Sequence, residues 1–228
     1  MTDDALRSLK RSFLFDGVSE RAIATHSHLF VPLVQRRRTR LFEQGDPARM
    51  VYLIRKGKVK IERVTESGRE VTLAIVGPED TFGEEVVLQG ALRSTTATCI
   101  DDSSLWTVRS QDFSALLARY PVAAINLAKY LMAQRDATLA SIESIAYLKV
   151  PSRLLRVLER LASEYGIQSE HGTRIDVRLT HAEVASLIGS TRETVSLELS
   201  NLVRSGYLAM EGRYFLLARR QQVSVAQS

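Results

Sequence analysis

Two sets of residues in this chain have the types and spacing to do chemistry. The first is Arg192-Glu193, which follows Gly189-Ser190-Thr191 and precedes an apolar-periodic run. An arginine fork bonds guanine O6 and N7 together, and a glutamate accepts from cytosine N4, so the pair is suited to reading base edges. The second is Gly83-Glu84 followed by Arg93-Ser94. Glycine lets backbone approach a ligand closely, and free amides opening a short helix favour an anion. Arg93 supplies a charge-assisted fork and Ser94 a hydroxyl, while Glu84 suits a sugar hydroxyl. This cassette could cradle a small phosphate ester. By spacing alone it reads equally as a surface turn.

The elements that must position the first set are legible from Leu179 to Leu217. Thr180 with Glu183, and Ser190 with Glu193, match the capping-box pattern that marks helix starts. Gly189 suits the positive φ of a tight inter-helix turn, and Ala185 is small where two helices must approach. Val184, Leu187 and Ile188 share one helical face, as do Val195, Leu199 and Leu202. A hairpin around Gly212 follows. That is the arithmetic of a winged helix-turn-helix, with Thr191, Arg192, Glu193 and Ser196 near the start of the reading helix.

The totals agree. The chain has 228 residues, enough for two domains, with a formal net charge of +5. A basic balance fits a nucleic-acid partner, and beyond Pro151 every Lys-or-Arg position is Arg. One cysteine, Cys99, excludes a disulfide within the chain and any multi-cysteine zinc or iron-sulfur site; its alternating strand context marks it as a buried small hydrophobe. The four histidines form no metal-ligand pattern and read as surface polar residues. No metal or haem is expected, and no nucleophile–base pair points to an enzyme. No apolar run approaches membrane-spanning length and no secretory segment opens the chain, so a cytoplasmic protein without a membrane partner is expected.

Residues 1–120 read as the first domain. Asp3 to Leu33 suggest short helices. From Arg37 to Val108 the period changes to two, with strand-like runs at Val51–Ile54, Val59–Val64 and Val71–Val76 separated by Gly45, Gly57, Gly68 and Gly77. Many short strands with regular turns imply a small barrel or sandwich. Helical spacing returns at Ser110–Leu117, and residues 121–150 carry one long helix, about Val122 to Leu148. Ala128, Arg135 and Ile142 share one heptad position, and Leu131, Thr138 and Ile145 the other, a partly polar seam for a parallel homodimer. Lys149-Val150-Pro151-Ser152 interrupts it as hinge and boundary. Residues 151–228 form the last domain: a helix Arg153–Tyr165, a polar hairpin Glu170–Arg178, the reading unit, and a polar tail from Arg219 expected to fray.

The glycine rhythm, the Gly-Glu to Arg-Ser cassette, one long helix and a terminal Arg192-Glu193-Thr194-Val195 unit occur in an order that resembles the CRP/FNR family of cyclic-AMP receptor-type regulators, from about Phe15 to Leu217. The resemblance implies an α+β chain: a jelly-roll-like, cyclic-nucleotide-binding β-roll, a long dimerisation helix and a C-terminal winged helix-turn-helix. It implies a homodimer activated by cyclic AMP, a near-palindromic double-stranded DNA site, and RNA polymerase as a further partner. It assigns Glu84 to the ribose hydroxyl, Arg93 and Ser94 to the cyclic phosphate, and Thr138 to the adenine edge across the dimer. Thr180 resembles a phosphate contact, and Arg192 and Glu193 the base readers. Three positions depart from the family pattern: Glu85 replaces an apolar residue, Gln134 an arginine, and Leu197 a basic residue of the reading helix. The first two motivate an alternative, a regulator that needs no ligand and is controlled by its abundance.

Overall fold

The computed structural model describes residues 3–88 and 90–218. Its contacts divide the chain into two units, Met1–Ala140 and Ser141–Ser228. The tail from residue 219 lies outside the described residues.

In the first unit, α1 (Asp3–Arg11) and α2 (Glu20–His26) precede eight strands: β1 (Val31–Gln35), β2 (Arg40–Phe42), β3 (Met50–Lys56), β4 (Val59–Val64), β5 (Glu70–Val76), β6 (Thr81–Phe82), β7 (Thr96–Cys99) and β8 (Ser103–Arg109). They pair antiparallel in two four-stranded sheets, β1-β8-β3-β6 and β2-β7-β4-β5. Then come α3 (Ser110–Arg119) and α4 (Pro121–Tyr147). Strand β3 explains the layering. Tyr52 and Ile54 enter a core with Phe42, Val59, Phe82, Cys99 and Leu105. Val51 and Leu53 enter another with Leu9, Phe15, Trp106, Phe113 and Leu127. Both faces of β3 are buried, so its apolar residues run on without alternation. The helices therefore cover one face of a sheet whose other face lines the roll.

Helices were expected through Leu33, yet β1 begins at Val31. Pro32 sits in that strand opposite Trp106. It is tolerated because β1 is an edge strand, where a missing N–H breaks no second ladder. Cys99 is fully buried, and burial pushes its thiol up. His26 is only partly exposed and its Nδ1 lies 3.1 Å from the Tyr120 hydroxyl, so it braces α2 against the α3–α4 junction and is not a plain surface residue.

Helix α4 packs inward through Ala123, Asn126 and Leu127. Asn126 anchors it by donating to the Leu14 and Asp16 carbonyls at 3.3 and 2.8 Å. Further along, Leu131, Ile142 and Ile145 of the expected seam are exposed, and so are Ile125, Met132 and Leu139 at a spacing of one heptad. The uncovered apolar stripe is thus broader than the two heptad positions read from the sequence.

The second unit holds the end of α4, α5 (Val150–Tyr165), β9 (Gly166–Ser169), β10 (Gly172–Ile175), α6 (His181–Ile188), α7 (Arg192–Arg204), β11 (Leu208–Glu211) and β12 (Tyr214–Ala218). The contacts divide inside α4, ahead of Lys149–Ser152, and a Cβ at Gly189 would meet Ile145 Cδ1 at 3.4 Å. Helix α5 starts at Val150, not Arg153: extended Lys149 stands at the N-cap position, its carbonyl accepting from the Arg153 amide at 3.1 Å, and Pro151 is pre-set for a first turn. The hairpin after it begins at Gly166, earlier than expected, and joins β12 and β11 in one sheet. Leu154, Leu158 and Leu161, at i, i+4 and i+7, are fully buried where α5 meets α6 and α7.

Candidate ligand and nucleic-acid sites

The structure gathers Gly83, Glu84, Arg93 and Ser94 at one place in the β-roll. The expected short apolar helix after Gly83 is a four-residue 3₁₀ turn, Glu84–Val87. Gly83 itself is left-handed (φ 82°), and a Cβ there would come within 2.8 Å of Arg93 Nη1 and 3.2 Å of the Met50 carbonyl. Only glycine fits above that guanidinium. Arg93 is 3% exposed and lies over the Phe42 ring at 4.1 Å. Its Nη1 donates to the Gly83 carbonyl at 2.8 Å, and its Nη2 to the Met50 carbonyl. Its Nε–H is buried without a hydrogen-bond partner.

Glu85 completes the arrangement, a role the sequence left undecided. One carboxylate oxygen accepts from Arg93 Nη1 at 3.0 Å, and the other from Ser94 Oγ at 3.2 Å. The two groups assigned to a cyclic phosphate are therefore both on the chain's own carboxylate. Burial raises the neighbouring Glu84 carboxyl above its ordinary value, and Glu85 pushes the same way against backbone amides and Arg93. Thr138, to which the resemblance gives an adenine contact across a dimer, is exposed on α4 and donates to the Gln134 carbonyl at 2.9 Å. Two clefts open elsewhere in this unit. One is lined by residues including Lys10, Phe13, Asp16, Asn126 and Tyr130. The other is lined by residues including Arg40, Glu43, Glu62, Glu70 and Thr96. Among the described residues no His/Cys/Asp/Glu group is placed to hold a metal ion.

In the second unit, the Thr180–Glu183 capping box forms in both directions. The Thr180 amide and hydroxyl donate to Glu183 Oε2 at 2.7 and 2.8 Å, and the Glu183 amide donates to Thr180 Oγ1 at 3.2 Å. Gly189 takes φ 60° and ψ 52°, and both its amide and that of Ser190 donate to the Ala185 carbonyl. This pair of bonds terminates α6 and uses Ser190 to do it. The expected Ser190–Glu193 box is therefore corrected by one residue. Thr191 caps α7, accepting from the Thr194 amide at 3.2 Å. The shift leaves Arg192, Glu193 and Leu197 exposed on α7 while Val195 and Leu199 turn inward.

Ser196, expected among the base readers, is partly buried and its hydroxyl lies 2.8 Å from His181 Nδ1. It ties the two helices together, a pairing across fifteen residues that no local pattern announces. Behind them, Arg178 Nε donates to the Tyr214 hydroxyl at 2.8 Å, and Arg174 and Arg178 both stand over the Tyr214 ring. The β11–β12 wing is held against β10 by these contacts as well as by the strand ladder.

Comparison with known proteins follows the same division. The cyclic nucleotide-binding domain matches residues 34–120, and the Crp-like helix-turn-helix domain matches residues 152–222. A CRP-like cAMP-activated global transcriptional regulator of Mycobacterium tuberculosis is 30% identical over 216 residues, covering 95% of this chain and 96% of that protein. A global nitrogen regulator of Synechococcus elongatus is 36% identical over 172 residues, 75% of this chain and 78% of that protein. Among solved structures, the c-di-GMP responsive global regulator CLP of Xanthomonas campestris superimposes with a TM-score of 0.77 at 22% identity, covering 88% of this chain and 100% of that one. At that identity the likeness concerns the fold. No described helix is long and apolar enough to cross a membrane.

Proposed function

Because the chain belongs to the CRP/FNR family of DNA-binding transcription regulators, we propose that it acts as a homodimer on near-palindromic duplex DNA, under allosteric control by cyclic AMP. The observation that carries the DNA reading is the pair Arg192 and Glu193, exposed on the first turn of a helix anchored behind a left-handed Gly189. A helix presented this way enters the major groove by its N-terminal end. Arg192 then takes a guanine and Glu193 a cytosine. Thr180, Ser190 and Thr191 lie at the adjoining helix starts and serve the phosphates, which supply most of the affinity.

The exposed stripe of Ile125, Met132, Leu139 and Ile142 supports pairing of two long helices. Such pairing sets two reading helices one DNA turn apart. Control by cyclic AMP is supported by the cradle of Gly83, Glu84, Arg93 and Ser94, with Thr138 reaching the base from the second copy. The nucleotide would act by binding one arrangement of the long helices more tightly than another. RNA polymerase is the expected protein partner of the DNA-bound dimer.

One observation favours a second reading, a regulator that binds DNA without an effector: Glu85 already occupies Arg93 and Ser94. Duplexes selected from random DNA, followed by anisotropy with and without cyclic AMP, separate the two. Affinity that stays flat up to millimolar nucleotide supports the ligand-free reading. In either case Arg192→Ala should weaken binding by about 1–3 kcal/mol. Unchanged binding by that variant would remove the DNA-reading assignment.

A further inference from the structure

We propose that Glu85 sets the effector specificity of the β-roll: its carboxylate holds the place of a ligand's phosphate on Arg93 and Ser94, and an anionic ligand enters only by displacing it. The inference rests on the reading of Arg93 and Ser94 as phosphate partners. Three features of the geometry carry it. Both oxygens of Glu85 are in use, one on the guanidinium and one on the hydroxyl, so the carboxylate spans the two groups as a phosphate's oxygens would. Glu85 is close at hand, two residues beyond the glycine that covers Arg93, so the pairing closes a short loop and needs little ordering. The guanidinium is also not saturated. Of its five N–H donors, the two on Nη1 go to Glu85 and the Gly83 carbonyl, while the buried Nε–H has no partner.

The carboxylate is therefore a single-point substitute on the fork. A phosphodiester with two free oxygens can offer Arg93 more than Glu85 does, but it must first break a charge-assisted bond and meet a displaced negative charge beside Glu84. An apolar residue at position 85, the family's usual choice as the resemblance has it, would impose neither requirement. The ligand class that this roll admits is thereby narrowed. A weakly binding cyclic mononucleotide is held off, and only an anion with further contacts elsewhere displaces Glu85.

The test is calorimetry of cyclic AMP into the full-length parent, Glu85→Gln and Glu85→Ala. Gln keeps the shape without the charge, and Ala removes both. Losing one competing charge-assisted bond should tighten binding by roughly ten- to a hundredfold. Adding Arg93→Met to Glu85→Gln should abolish that gain. Equal affinities in parent and variants would overturn the inference while leaving the phosphate reading standing. No binding by any of the three chains would overturn both. Tryptophan melting curves accompany each titration. If neither Glu85 variant folds, Glu85 is a structural strut and the inference falls.

Discussion

Replacing Arg93 by methionine asks whether this arginine holds the β-roll together with no ligand at all. Methionine fills a similar volume, so the substitution opens little cavity. It removes the donor that reaches the Gly83 carbonyl at 2.8 Å and the one that reaches Met50. A buried carbonyl left without its donor costs about 1–3 kcal/mol, so two cost about 2–6 kcal/mol. The lost cation over Phe42 adds about 1 kcal/mol. For a chain of this size each kcal/mol moves the midpoint by about 2–4 °C. The β-roll should therefore melt lower by on the order of 10 °C. Trp106 is the chain's one tryptophan and lies in the core of that unit. Its fluorescence follows this melting and not that of the DNA-reading unit. Glu85→Gln, which leaves both carbonyl bonds intact and keeps an amide oxygen for Nη1, serves as the control and should shift the midpoint less. An Arg93→Met midpoint within about 2 °C of the parent, less than 1 kcal/mol, would refute the strut reading. The outcome also governs how functional variants are read. An Arg93→Ala chain that no longer binds DNA argues for a ligand switch only if its melting is preserved.

Three further outcomes follow from the geometry. Leu197 is 58% exposed on the same helix as Arg192 and Glu193, where an apolar side chain is suited to a thymine methyl. Thymine-to-uracil exchange should weaken the parent at one position per half-site and leave Leu197→Ala indifferent; a parent insensitive to every methyl ends that assignment. Glu84 holds its proton more tightly in the fold than its ordinary value of 4.5, chiefly through burial. Its contribution to stability is thus lost as pH rises above that value. Glu84→Gln should melt higher than the parent at neutral pH, with the gap closing toward pH 4.5; a gap independent of pH contradicts the sign. Finally, Met132→Glu with Ile142→Glu places charge on residues 61% and 57% exposed in the α4 stripe. Light scattering should find the parent dimeric and the double variant monomeric, and an unchanged mass would assign pairing elsewhere.

Much of this molecule was legible in the residues alone, and the legible parts share a cause. The Thr180–Glu183 box, the left-handed Gly189 and the inward set Val184, Val195 and Leu199 depend on partners within a turn or two, so their signals lie side by side in the chain. The strand runs around Tyr52, Ile61 and Leu73 were visible for the same reason, as were the order of the two motifs and the long helix between them. The near misses mark where neighbours stopped deciding. Ser190 looked like a cap, but closing α6 consumed its amide and moved the cap to Thr191. Val31–Gln35 became a strand only because β8 was there to pair with it.

What the tertiary structure alone decided was the choice of partner among groups that lie beyond one another's own turn of chain. His181 with Ser196, Arg178 with Tyr214, and above all Glu85 with Arg93 and Ser94 come from folding the chain back on itself. A charged side chain takes the best counter-charge the fold brings within reach. Residue type fixes that it needs one, but only the closed backbone fixes which.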